Sequence, residues 1–226
     1  VEGKSQSGVF LASATSATLI GVTEQWIGVP WLNARPFGYA GSLGPLPISD
    51  KARQTWQKIG EVLLECFSLR GIFGVDAVVR HDMIHVIEVN PRFPASAEIV
   101  DLAGDGQLMR HHVQACVGDD FRIAMGPPAN LPELSYGKAI YFAPQDLIVS
   151  RNLESIMDDT SLPCSNFRVA DIPATGTTIR KGHPVVTLLA RDSSVEHIRL
   201  SLRRSIDRLQ DLLVCCVDQD VESQAI

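Results

Sequence analysis

Several things are missing from this sequence, and each absence removes a class of function. No basic stretch stands out, and 26 Asp and Glu outnumber 20 Lys and Arg, giving a formal net charge of −6. That balance argues against a polyanionic partner such as nucleic acid. No apolar run approaches the roughly 18 residues a membrane-spanning helix needs, and no charged start followed by an apolar run suggests a secretory leader. The five cysteines, Cys66, Cys116, Cys164, Cys215 and Cys216, show no CxxC spacing, so neither a zinc site nor a disulfide framework is supported. They read as reduced thiols, which places the protein in a cytoplasm. There is no internal repeat and no low-complexity tract. What remains is 226 residues, 45% hydrophobic and 20% charged, enough for one large soluble domain or two small ones.

Local patterns divide the chain. Ser7–Ala12 and Ala17–Val22 read as short strands, and residues 30–48, rich in proline and glycine, read as a long loop. Ser49 or Asp50 can cap a helix with Ala52, Trp56, Ile59, Leu63 and Phe67 on one face, ended by Gly71. A hairpin comes next, Gly74–Val79 and Ile84–Val89, joined by Arg80-His81-Asp82 and closed by Pro91. Helices are expected over about 96–103 and 107–117, and a linker over 124–136. Beyond it, Gly137–Ala143, Phe167–Ile172, Thr177–Ile179 and Pro184–Ala190 read as strands. The last element is a long helix, with a capping box at Ser193 and Glu196 and an apolar face of Val195, Ile198, Leu202, Ile206, Leu209 and Leu213.

The hairpin carries the chemistry. With its turn centred on Asp82, Asp76 stands opposite Glu88, and Asn90 and Arg92 come after it on the same face by the two-residue period. Opposed residues have Cβ atoms roughly 5 Å apart. Two carboxylates at that distance repel by about 3 kcal/mol at an effective dielectric near 20. A hard divalent cation removes that repulsion, and Mg²⁺ takes oxygen ligands of this kind together with nucleotide phosphates. Arg92 can hold a phosphate oxygen. The competing reading for each residue alone is a solvated hairpin; the apolar flanks Val78-Val79 and Val86-Ile87 count against it for the set.

Gly74-Val75-Asp76, a hairpin, then Ile87-Glu88-Val89-Asn90-Pro91-Arg92 closely resembles the metal motif of the ATP-grasp superfamily. The resemblance implies that Asp76, Glu88 and Asn90 bind the Mg²⁺ (or Mn²⁺) of ATP, and that Glu88, Asn90 and Arg92 meet the nucleotide, with Arg92 the catalytic contact to phosphate. Glu2-Gly3-Lys4-Ser5-Gln6-Ser7 looks like the turn after the nucleotide-binding hinge. Gly21–Gln25 and Phe37–Gly41 look like segments of predicted ATP-dependent carboligases related to biotin carboxylase, and Asp171-Ile172-Pro173, Gly176-Thr177 and Gly182–Val185 look like their small C-terminal β domain. Members of that subgroup occur with genes of one-carbon metabolism.

The implied fold is an α/β ATP-grasp fold with a small C-terminal β domain closed by a helix. The expected division is 1–48 for part of the nucleotide-covering subdomain, 49–128 for the metal-bearing subdomain, 136–216 for the β domain and 217–226 for a frayed tail. The implied activity is ATP-dependent ligation of a carboxylate through an acyl phosphate, with an amine or similar nucleophile as acceptor. A non-catalytic nucleotide-binding protein and a carboxylase-like enzyme are the alternatives. Small-molecule substrates are expected as partners, with no nucleic acid and no membrane, and a homodimer is compatible. Because the chain opens at Val1 inside a strand, the family's phosphate-binding lysine, glycine-rich loop and adenine hinge are expected upstream, and the chain by itself is expected not to turn over ATP.

Among lesser candidates, His81, His85, His111 and His112 compete between metal or base roles and plain packing. Gln25 and Tyr39 compete between lining an acceptor pocket and loop packing. Arg199, Arg203, Arg204 and Arg208 read as the solvated face of the final helix, and Trp26, Trp31 and Trp56 as core or loop anchors.

Overall fold

The computed structural model describes residues 2–104, 106–118, 134–150, 153 and 167–217. Ten strands and four α-helices occur among them, and the chain forms two units. The first holds Val1–Gln25 and Ser42–Tyr136, the second Trp26–Gly41 and Gly137–Ile226. The chain passes from one unit to the other within three strands: β2 (Ala17–Ile27), β3 (Tyr39–Gly44) and β6 (Ser135–Phe142).

The first unit is built on an antiparallel sheet in the order β5 (Met83–Asn90), β4 (Gly71–Arg80), β1 (Lys4–Ala12), β2. Strand β1 lies inside it, so both of its faces are covered. On one face Phe10, Ala12, Leu19, Val22, Phe73, Val75 and Ala77 pack against Trp56 of helix α1 (Asp50–Phe67). On the other, Val9, Leu11, Ile20 and Ile72 pack against Ala97 and Val100 of α2 (Ala97–Ala103) and Leu108 and Ala115 of α3 (Leu108–Val117). Trp56 lies flat over β1 because position 8 is glycine; a Cβ there would sit 2.8 Å from the indole ring. Helix α1 also ties down the start of β2. The Gln57 amide accepts from Leu19 N at 3.0 Å and donates to Ala17 O at 2.6 Å, standing in for a neighbouring strand.

In the second unit β6, β10 (Pro184–Asp192) and β8 (Phe167–Ala170) lie side by side, β10 and β8 antiparallel. Two short strands, β7 (Leu147–Ile148) and β9 (Thr178–Ile179), pair separately. Helix α4 (Val195–Val217) closes the unit, with Ile198, Leu202, Ile206 and Leu209 fully buried. Trp26 packs edge-on to Trp31, and the Arg199 guanidinium lies 5.9 Å from the Trp26 ring centre.

Five details depart from the sequence expectations. The segment 30–48 is not one loop: it holds a short 3-10 turn, Pro30–Leu32, and β3, where its glycines and prolines hid a strand. Helix α1 has Ser49 as its N-cap but ends at Phe67, with Ser68 in the left-handed region; Gly71 opens β4 instead. The hairpin turn is the two residues His81-Asp82, both at positive φ. The cap of α4 is Ser194, whose hydroxyl accepts from His197 N, while Glu196 pairs with Arg199. Arg203, Arg204 and Arg208 are exposed as expected, whereas Arg199 is partly covered against Trp26. Cys66 and Cys116 are free thiols. Most of the 124–136 linker, Cys164, the side chains of Cys215 and Cys216, and residues 218–226 lie outside the described residues.

Each unit offers a test of its packing. Trp56 is fully buried and its indole N–H finds no acceptor among the described residues. Trp56→Ala should cost about 3–5 kcal/mol. Trp56→Phe should cost well under half as much, because it also removes an unsatisfied donor; urea-unfolding midpoints check the ranking. In the second unit, burial pushes the Tyr141 hydroxyl above the ordinary tyrosine range, against the lowering effect of its hydrogen bonds with Gln210 and Asn33. The fold thus disfavours the ionised form. The stability that rests on neutral Tyr141 is intact below about pH 10 and is lost as pH rises past it. Thermal unfolding compared at about pH 9 and about pH 11 should show a smaller loss in Tyr141→Phe than in the native protein.

Candidate functional site

The site lies on the α2–α3 face of the first unit's sheet, beyond the end of its apolar core. Asp76 on β4 stands opposite Glu88 on β5 and opposite Ser7 on β1, and Ser7 stands opposite Thr23 on β2. Directly paired residues share a face, so four polar side chains form a row across four strands. The row runs from exposed Glu88, through half-buried Asp76, to fully buried Ser7 and Thr23.

The register that pairs the two acids has an unexpected origin. A two-residue turn at His81-Asp82 pairs Arg80 with Met83 and Ala77 with Val86, a register that would set Asp76 against Ile87. A β-bulge intervenes. Ile87 is the extra residue, and beyond it the pairing resumes as Asp76–Glu88, Val75–Val89 and Gly74–Asn90. The bulge therefore compensates for a turn shorter than the sequence suggested, and the acids meet.

Hydrogen bonds tie the rest together. Asn90 Nδ2 donates to Asp76 Oδ2 at 3.2 Å, and Arg92 Nη2 donates to Asn90 Oδ1 at 3.2 Å. Asn90 is buried; Arg92 and Glu88 are exposed. After Asn90 the chain turns sharply, with Arg92 N donating to Asn90 O at 2.8 Å, and buried Pro94 comes down onto Gly74. A Cβ at position 74 would meet Pro94 Cβ at 2.8 Å, so the glycine two residues before Asp76 is the seat of the turn after Asn90. Ser96 Oγ donates to Ser7 Oγ at 3.0 Å, fixing the start of α2 over β1.

Sequence reasoning missed the partner of Asp76 on the far side. Gln25 Nε2 donates to Asp76 Oδ1 at 3.0 Å. The signal was the pair of small residues Ser5 and Ser7 on β1, over which a long side chain from β2 can reach β4. Tyr39 belongs to the second unit. His81 lies in the hairpin turn and His85, opposite Val78, is exposed. His112 is a packing residue whose Nδ1 accepts from Ile72 N at 2.9 Å.

No three His, Cys, Asp or Glu side chains gather among the described residues. The donor set at the site is two carboxylates and one carboxamide, all oxygen ligands, and it fits a hard divalent cation better than a thiol- or imidazole-seeking one.

The mixed α/β architecture is the ATP-grasp fold, and residues 1–96 match the family described as the ATP-grasp domain. The sequence is 28% identical over 170 residues to the formate-dependent phosphoribosylglycinamide formyltransferase of Burkholderia cenocepacia, covering 74% of this chain and 38% of that protein. The L-amino acid ligase of Bacillus licheniformis superimposes with a TM-score of 0.67 at 14% identity, covering 92% of this chain and 53% of that one. The biotin carboxylase domain of the Hydrogenobacter thermophilus 2-oxoglutarate carboxylase, solved with MgADP, ADP and bicarbonate, does so with a TM-score of 0.64 at 12% identity, covering 88% and 44%. The chain thus spans well under two thirds of the length of each of these proteins.

The Gly74–Pro94 contact gives a direct test of how the site is held. Gly74→Ala should destabilise the protein by about 1–3 kcal/mol, since neither the sheet nor the proline ring can yield easily. Urea unfolding measures the cost. Limited proteolysis should show faster cleavage between residues 90 and 96 than in the native protein.

Proposed function

We propose that the protein is an ATP-dependent carboxylate ligase, acting through an acyl phosphate with an amine or similar nucleophile as acceptor. The observation that carries this reading is the facing pair Asp76 and Glu88, with Asn90 and Arg92 next to them on one face. Val86 and Ile87 beside them are exposed, so burial among apolar residues does not argue for a cation here; the direct opposition of the two acids does, since a cation between them removes their repulsion. Asp76, Glu88 and Asn90 would hold Mg²⁺ (or Mn²⁺), and Arg92 would hold a phosphoryl oxygen. When bound, the metal supplies charge neutralisation at the transferred phosphoryl group.

The chain's own part is positioning and electrostatics. Arg92 is exposed and held only by hydrogen bonds to Asn90 Oδ1 and the Phe93 carbonyl, so its guanidinium can turn to a phosphate. A carboxylate oxygen of the substrate would attack the γ-phosphorus and ADP would leave. The nucleophile would then attack the acyl carbon, expelling phosphate and losing its proton. The names of the similar proteins, a formate-dependent formyltransferase, an amino acid ligase and a carboxylase, are consistent with small carboxylates and favour testing one-carbon acids first. No helix among the described residues is long and apolar enough to cross a membrane.

The test is ADP release by the full-length protein against a panel of carboxylates, formate and amino acids included, each with and without amines. Glu88→Ala should lower ADP release by about 100-fold or more while leaving the circular dichroism unchanged. Undiminished release in that variant would remove Glu88 from the reaction. Tight nucleotide binding with no ADP release against any acid would favour a non-catalytic nucleotide-binding protein.

A further inference from the structure

Both oxygens of the Asp76 carboxylate are engaged, but by partners of different kinds. Oδ2 accepts from Asn90, itself one of the oxygen donors proposed for the metal. To present its own oxygen to a cation, the Asn90 carboxamide must turn its nitrogen away, and Asp76 Oδ2 is then released toward the same point. Asp76 Oδ1 accepts from Gln25, which comes from the opposite direction, over β1. The β1–β2 register reaches Gln6 opposite Glu24, and Gln25 follows, two residues from Thr23 and so on the face that bears Asp76. The serines at positions 5 and 7 leave the space above β1 that its side chain crosses.

We propose that Gln25 is a positioning residue that holds Asp76 as a single-oxygen ligand and so sets the preference of the site for a small, six-coordinate cation. The inference rests on the metal reading given above. The Gln25 N–H occupies one lone-pair direction of Oδ1 and ties the carboxylate plane, so bidentate capture of a cation would have to bend or break that bond and Oδ2 is the favoured ligand. Mg²⁺ requires near-octahedral geometry with one oxygen from each ligand, whereas Ca²⁺ accepts bidentate carboxylates and higher coordination numbers. A neutral donor suits the task. A lysine in place of Gln25 would compete with the cation by charge, and a glutamate would repel Asp76.

The experiment is a Mn²⁺ titration of the full-length protein with ADP present, read by electron paramagnetic resonance, followed by displacement with Mg²⁺ and with Ca²⁺. Gln25→Met keeps the length of the side chain and removes the donor; Gln25→Leu removes it with a shorter, equally uncharged side chain. Both should weaken Mn²⁺ binding about tenfold or more and should improve Ca²⁺ as a competitor relative to Mg²⁺. A merely structural role would leave that cation ratio unmoved. Thermal unfolding of each variant confirms that it is folded. If Asp76→Asn loses Mn²⁺ while both Gln25 variants bind it with native affinity and native cation preference, Gln25 has no part in holding Asp76, and the metal site stands without it. If the native protein takes up no Mn²⁺, or Asp76→Asn takes it up equally well, the metal reading fails and the role of Gln25 fails with it.

Discussion

Two carboxylates face each other across β4 and β5, and much of the first unit can be understood from what that pairing demands. Opposed like charges on a sheet lower its stability unless something compensates. Here the neutral donors Gln25 and Asn90 compensate at Asp76, while Glu88, on the edge strand, is exposed to solvent. The sheet thus carries a graded row, wet at Glu88 and dry at Thr23.

The same sheet face does two jobs because its residues change character along the strands. Val9, Leu11 and Ile72 lie under α2 and α3, and Ser7 and Asp76 lie beyond them. The changeover takes place within two residues of β1, between Ser7 and Val9. The Ser96–Ser7 hydrogen bond marks the seam. Helices α2 and α3 therefore anchor the end of the site without covering it, while α1 and Trp56 stiffen the other face. A rigid strand pair is a better base for ligands than a loop, since its side-chain directions are fixed by the pleat.

Much of this was legible in the sequence for identifiable reasons. The alternation around Asp76 and Glu88 and the long apolar stripe of α4 are periodic signals, and periodicity survives without knowledge of tertiary contacts. The ATP-grasp resemblance, carried by Gly74 to Arg92, agrees with the family match over residues 1–96 and with the fold. The bulge at Ile87 was not legible, because nothing about an isoleucine in a β-rich run says that it will be skipped; the pairing of Asp76 with Glu88 was anticipated from a longer turn than the one that forms. β3 was hidden because glycines such as Gly41 and Gly44 are disfavoured in strands, and the close approach of the Lys138 backbone that favours glycine at position 41 is a tertiary contact. Gln25 was named for a pocket and turned out to reach Asp76, a partner 51 residues away that no local pattern can indicate.

The skipped residue at Ile87 also makes the hairpin a counting device. Faces alternate residue by residue, so the alignment of the acids depends on the parity of the chain between them. Loss of one residue between Asp82 and Glu88 would turn Glu88 and Asn90 to the opposite face unless the bulge were surrendered to absorb it. Gain or loss of two would shift the site along the strand but keep its side. Length variation in this hairpin is thus filtered by odd and even number, a constraint that acts on insertions and deletions and is invisible to a comparison of residue types alone.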